Sequence, residues 1–263
     1  MPATLGAMKI ATWNVNSLRV RLEHVLGWSA EAEPGVIALQ ETKMPDEAFP
    51  LGTLREGGWH ALYTGQPAYN GVALLSREPL ELVANALPDF EDGQRRLIAG
   101  RRGGLCIVNV YVPNGQAVGA DKYQYKLAWL EALAGFVATL LEEHEEVAVL
   151  GDFNIAPDDR DVYDPAAWEG SVLVSPPERE AFHTLLDLGL TDSFRLFDQP
   201  EQSYSWWDYR QGAFRRNRGL RIDHILMSGA LARRCRSVSI DREPRGWPRP
   251  SDHTPVVAEL GPA

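Results

Sequence analysis

Apolar residues along this chain come in short blocks whose spacing switches between strand and helix. The run MKIATWNV (8–15) predicts a strand, and SLRVRLEHVLGWSAEA (17–32) predicts a helix. That helix has Leu18, Leu22, Val25 and Leu26 on one stripe and Ser17 as its N-cap. GVIALQE (35–41) reads as a buried strand, followed by strands at WHALY (59–63), GVALLS (71–76) and LELVAN (80–85). Residues 95–113 predict a hairpin that turns at Gly103–Gly104. A long amphipathic helix is expected over 121–143 and another buried strand over VAVLGDFN (147–154). In the second half, PEREAFHTLLDLG (177–189) predicts a helix that ends at Gly189. SYSWWDY, GLRIDHILMS, CRSVSID and TPVVAEL are expected as strands. Loops between them are rich in Pro, Asp and Arg, with no Ser/Gly linker and no low-complexity tract. The expectation is one α/β domain over 8–263, after a disordered extension or vector scar at 1–7.

The polar residues that close these strands carry the chemistry. WNVN ends the first strand with Asn14 and Asn16, and LQETK ends the second with Glu41. NVYVPN ends with Tyr111 and Asn114, and LGDFN with Asp152 and Asn154. RIDHIL sets Asp223 and His224 in a strand pattern, and RPSDHTPV places Asp252 and His253 just before the last strand. Buried polar groups need partners, so six such endings point to one shared site. Carboxylates, amides, a phenol and an imidazole suit phosphoryl oxygen chemistry. Hard oxygen ligands select Mg²⁺, or Mn²⁺ in its place, over zinc. No GxSxG motif, Cys/His cluster or GxxxxGK[ST] loop occurs. A metal, a carboxylate base and phosphate donors together suggest phosphodiester hydrolysis.

Charge narrows the partner. The net charge is −10, which excludes coating of nucleic acid by bulk attraction and leaves room for a focused basic face. Only Lys9, Lys43, Lys122 and Lys126 are lysines, so most positive charge is arginine. Arginine grips phosphate bidentately. Arg210, Arg215, Arg216, Arg218 and Arg221 cluster beside Trp206 and Trp207, a pattern of nucleic-acid contact. Two cysteines, Cys106 and Cys235, make a disulfide framework unexpected. With no apolar stretch near 18 residues, the expectation is a soluble, cytoplasmic protein with no membrane partner.

The set WNVNSLR, LQETK, NVYVPNG, GDFNIAP, RGLRIDHIL and PSDHTPV resembles the exonuclease III family of abasic-site DNA endonucleases. That family sits within the endonuclease/exonuclease/phosphatase superfamily. The resemblance runs from Trp13 to Val256. LQE, GDFN and SDH mark phosphoesterases in general, and WNVNSLR, YVPNG and RGLRID mark the DNA-repair branch. It implies a four-layer α/β sandwich: two packed, mainly antiparallel β-sheets flanked by helices. It implies a metal held by Glu41, Asn14 and Asp252, with Asn14 also near the scissile phosphate. Asp152 is implied as general base or as donor to the leaving oxygen, oriented by Asn154. His253 and Tyr111 would donate to phosphate, with Asp223 fixing the His253 tautomer. Lys126 is a further phosphate candidate, and His224 reads as structural. Trp206, Leu220 and Ile222 match positions lining a pocket for the extruded baseless sugar, with Arg210, Arg215 and Arg216 on the DNA.

The implied activity is Mg²⁺-dependent cleavage 5′ to abasic sites, with 3′-5′ exonuclease and 3′-phosphodiesterase activity in a proportion the sequence leaves open. The implied partner is double-stranded DNA with abasic sites or 3′ ends, bound by a monomer. Two alternatives stay open: a small-molecule or lipid phosphoesterase of the same superfamily, and a noncatalytic nucleic-acid-binding regulator.

Overall fold

A computed structural model describes residues 6–262 of the chain. Of the extension expected at 1–7, residues 1–5 lie outside the described residues, and Gly6 and Ala7 lead into the first strand. The elements in order are β1 (Met8–Asn14), α1 (Leu18–Ala32), β2 (Val36–Gln40), α2 (Leu51–Glu56), β3 (His60–Thr64) and β4 (Val72–Ser76). Then come β5 (Glu81–Ala84), β6 (Leu97–Arg102), β7 (Leu105–Tyr111), α3 (Asp121–Glu143), β8 (Glu146–Asp152) and α4 (Pro165–Trp168). The chain continues through α5 (Pro176–Asp187), β9 (Leu190–Asp192), β10 (Asp223–Ser228), α6 (Gly229–Arg234), β11 (Cys235–Ile240) and β12 (Val256–Leu260).

Alternation along the strands decides the layering. In β1, Ile10 faces one way and Ala11 and Trp13 face the other. Ile10, Val36, Ala38, Leu74, Ile107, Leu150, Ile225 and Val256 form one core between the sheets. Ala11, Trp13, Ile37, Leu39 and Val257 pack outward, in a cluster with Leu18, Val25 and Trp28 of α1 and Leu54 of α2. Cys106, Val108, Val147 and Val149 pack outward with Trp129, Leu133 and Val137 of α3 and Leu185 of α5. The result is helices, sheet, sheet, helices: the four-layer α/β sandwich the resemblance implied.

The two six-stranded sheets run β11-β12-β1-β2-β4-β3 and β5-β6-β7-β8-β10-β9. Neighbours are antiparallel except for one pair in each, β1–β2 and β7–β8, so both sheets are mixed. Each parallel pair is joined by its own crossover helix, α1 or α3. Sheet order, strand direction and the place of the helix are therefore the same in both halves.

Some expectations change. SYSWWDY forms no strand; among the described residues its β-pairings are isolated bridges from Trp206 to Leu220 and to His253. Its backbone groups instead lace loops together: Trp206 exchanges bonds with Leu220, Trp207 N donates to Asp252 O, and Thr254 N donates to Ser205 O. The expected strand over GLRIDHILMS consequently begins only at Asp223. Ser17 stands at the N-cap but at φ 94, and its side chain makes no capping bond. Helix α5 starts at Pro176 behind a capping box of Ser175 and Glu178, and Gly189 follows it at φ +105. Among the described residues, no helix is long and apolar enough to cross a membrane.

Candidate active site

The inner faces of the strands turn polar at one end. In β8, Asp152 follows Leu150 on the inner face; in β7, Tyr111 follows Asn109; in β1, Asn14 follows Thr12. Tyr111, Asp152 and Asp223 are register partners across β7, β8 and β10, so they form one row. Asn14 pairs with Gln40 in the facing sheet, and Glu41 comes next. Glu41 and Asn154 each leave their strand at a left-handed φ, 53 and 51. Asparagine tolerates that region better than most residues, and glutamate there is unusual. Between them, Gly151 sits where a Cβ would lie 1.9 Å from Val110 O, so the GDFN motif needs its glycine.

The side chains meet across the two sheets. Asn14 Nδ2 donates to Glu41 Oε1 and to Asp152 Oδ2, both at 2.9 Å. Asp152 also accepts from Asn154 N at 2.9 Å and from Asn154 Nδ2 at 3.3 Å. Asn114 Nδ2 holds Asn154 Oδ1 at 3.1 Å. His253 Nδ1 lies 2.8 Å from Asp223 Oδ2, and since a carboxylate only accepts, that nitrogen carries the proton. His253 Nε2 then faces Asp152 Oδ2 at 3.7 Å. Asp252 accepts from Asn16 Nδ2 at 2.9 Å and from Trp206 Nε1 at 3.0 Å.

Burial and charge set the protonation states. Burial pushes the Asp152 carboxyl up, His253 opposes, and Asp223 adds to the rise. Burial alone would lower His253, but Asp223 and Asp152 outweigh it and hold the ring as imidazolium. Burial, with the charges of Glu41 and Asp152, keeps Tyr111 a phenol well beyond neutral pH. Asp252 stays below the usual carboxylate range, because His253, Asn16 and Trp206 outweigh its burial.

One ligand atom each from Glu41, Asp152 and His253 lies within 4.8 Å of the others. With His253 protonated, the usable donors are the oxygens of Glu41 and Asp152, and paired carboxylates fit a hard divalent cation. Two further ligands implied by the resemblance lie beside this pair. Asn14 directs Nδ2 at the carboxylates, and its Oδ1 accepts from Asn16 N at 2.9 Å. Asp252 is turned to Asn16 and Trp206.

The recognition residues divide in the same way. Trp206, Leu220 and Ile222 do belong to one apolar cluster, with Val162 and Leu173. Leu220 and Ile222 are fully buried within it, so Trp206 is the member that reaches the surface. Arg215 and Arg216 are exposed, and exposed Arg210 pairs with Asp208 at 2.7 Å. Lys126 is not available to phosphate. It is fully buried, donates to Asn154 O at 2.7 Å and Asn114 O at 3.2 Å, and pairs with Glu178. Its role is to hold the turn beneath Asn154.

Other residues at the site carried weaker sequence signals. Lys43, the last residue of LQETK, lies 2.8 Å from Glu41 Oε2 and 2.5 Å from Asn16 Oδ1. Arg96, one of a bare arginine pair, covers the Tyr111 ring at 4.7 Å. A cleft of about 720 Å³ opens beside Tyr111, lined by Gln66, Tyr69, Arg96, Asn114 and Lys122. Tyr69 is 71% exposed on its rim.

Comparison with known proteins places this geometry. The model of the endonuclease/exonuclease/phosphatase family matches residues 11–253. Exodeoxyribonuclease III of Haemophilus influenzae is 36% identical over 96% of this chain and 100% of its own. The 3′ phosphatase NExo from Neisseria, solved with a product DNA hairpin, superposes with a TM-score of 0.95 at 47% identity, covering 97% of this chain and 99% of that one. An AP endonuclease from Archaeoglobus fulgidus superposes with a TM-score of 0.93 at 37% identity, covering 96% and 99%.

Proposed function

The chain belongs to the endonuclease/exonuclease/phosphatase family, and we propose that within it this protein is a DNA-repair nuclease that cuts the backbone 5′ to abasic sites and trims 3′ ends. The observation that carries this reading is the meeting of Glu41, Asp152 and the Asp223–His253 pair across the two sheets. Glu41, facing Asp152, would hold a divalent cation, Mg²⁺ or Mn²⁺. Such a cation supplies charge neutralisation on the phosphate oxygens.

The protein's own groups do the rest. Asp152, its basicity raised by burial, takes the proton of the attacking water. Asn14 and Asn154 fix which carboxylate oxygen faces that water, since each donates to Oδ2. His253 donates from Nε2 to a phosphate oxygen, and Asp223 holds the ring and its charge in place. Tyr111 donates its phenolic proton beside it. Trp206 presents an apolar wall to the baseless sugar while its indole N–H holds Asp252. Arg215 and Arg216 offset the phosphate charge that a chain of net −10 would otherwise repel. The cleft with Tyr69, Arg96 and Lys122 gives the strand a path past Tyr111.

A labelled duplex with one internal abasic analogue tests this, incubated with Mg²⁺ and with chelator. A single Mg²⁺-dependent nick 5′ to the lesion, with a ladder of 3′-shortened products, is expected. Undiminished cutting by thoroughly metal-stripped protein refutes the metal role. An intact duplex alongside hydrolysis of a small phosphoester refutes the DNA substrate.

A further inference from the structure

Beneath the site lies a buried polar layer with no direct part in the chemistry above. Thr12, Gln40 and Asn109 are each 0% exposed. Gln40 Nε2 donates to Thr12 Oγ1 at 2.9 Å, to Ala38 O at 3.1 Å and, across the sheet interface, to Asn109 Oδ1 at 2.7 Å. Asn109 Nδ2 reaches back into the opposite sheet, donating to Leu39 O at 2.9 Å and Ala73 O at 2.8 Å. Asn109 of β7 thereby ties itself to β2 and β4 together. Thr12 stands two residues before Asn14, Asn109 two before Tyr111, and Gln40 immediately before Glu41. Thr12 and Asn109 lie one step below the reacting groups on the same inner faces, and Gln40 lies level with Asn14.

The site itself is divided between the sheets. Asn14, Glu41 and His253 come from the β1–β2–β12 side; Tyr111, Asp152, Asn154 and Asp223 come from the β7–β8–β10 side. Three contacts of the site cross the interface: Asn14 to Asp152, His253 to Asp223, and His253 to Asp152. The apolar core below is non-directional and sets no fine register. Hydrogen bonds do, and reacting groups lose rate on displacement by about 1 Å.

We propose that Thr12, Gln40 and Asn109 are positioning residues that set the registry of the two sheets and so the separation of the two halves of the active site. This rests on the hydrolytic reading of the site, and wild-type cleavage of the abasic duplex is the control that distinguishes failure of that reading from failure of this one.

The test compares Gln40→Met, Asn109→Leu and the double variant by thermal unfolding and steady-state cleavage. Each single change strands the other residue's amide and lowers Tm; removing both relieves that part of the penalty and leaves Leu39 O and Ala73 O without the Asn109 donor. The double variant should therefore have a Tm no lower than that of Asn109→Leu alone. Its kcat should stay down by about tenfold or more, with KM within about threefold. Wild-type kcat in the double variant, or kcat that merely tracks Tm across the set, overturns the proposal. Should the double variant not fold, Thr12 decides. Thr12→Val keeps the shape and removes the hydroxyl, and should lower kcat by about threefold or more, whereas Thr12→Ser restores it. Equal kcat in those two overturns the proposal.

Discussion

His224 offers a stability test that is independent of substrate. It is fully buried between Arg221, whose Nη1 donates to its Nδ1 at 3.0 Å, and Ile155 O, which accepts from its Nε2 at 2.8 Å. Both bonds need the neutral ring. Burial, then the charge of Arg221, lowers its pKa from the ordinary 6.5 to about 4. The unfolded chain therefore takes up this proton first as pH falls. The stability linked to His224 is complete above pH 6.5 and drains away toward pH 4. At pH 5 about 1.5 pKa units of that difference are expressed, or about 2 kcal/mol. Glutamine can keep a donor and an acceptor there without titrating. Urea unfolding of wild type and His224→Gln at pH 7.5 and pH 5.0 should show wild type losing about 2 kcal/mol more than the variant. Parallel losses in the two proteins refute the argument, because all other titrating groups are common to both.

Asp152→Asn and His253→Asn should each lower turnover by roughly 10²-fold or more while sparing DNA affinity, measured by single-turnover cleavage beside a binding titration. Near-wild-type turnover in both removes the assigned roles. Arg215→Ala with Arg216→Ala should weaken binding to any duplex and flatten the dependence of log affinity on log salt by about 2. An unchanged slope means that these exposed arginines do not meet phosphate. Gly151→Ala drives a Cβ toward Val110 O at φ +150 and should destabilise the fold by about 3 kcal/mol or more. A Tm near wild type would show that β7 and β8 can part there.

Where the sequence was legible, a local rule governed the outcome. The hairpin turning at Gly103–Gly104 and the helix Asp121–Glu143 fall where turn chemistry and periodicity place them. Asn14, Tyr111, Asp152 and Asp223 were visible because polar residues that end apolar strands have few explanations other than a shared site. What escaped was decided by partners distant in the chain. SYSWWDY has the alternation of a strand, yet its backbone bonds go to Leu220 and to the 252–254 loop. Lys126 reads as a phosphate candidate in the sequence, and in the structure Glu178 and two carbonyls enclose it. Which groups surround the Asn14 amide was not legible either, because the carboxylates of Glu41 and Asp152 at its nitrogen lie far along the chain. Asn109 stands as one polar residue in an apolar run, and the groups it joins lie in the other sheet.

The repeated sheet order has a consequence for how such a molecule can be divided. Asn14 ends β1 where Tyr111 ends β7, and Gln40 occupies the register that Asp152 occupies beside it. Each half is a complete six-stranded unit in topology, but the strands trade places in sequence: β11 and β12, which complete the first sheet, come from the chain's far end. In topology the two sheets are a matched pair with dissimilar side chains, and the candidate site lies on the seam between them. Either sheet alone carries the scaffold pattern but only part of the site's residues, so neither can be separated from the other without dividing the chemistry.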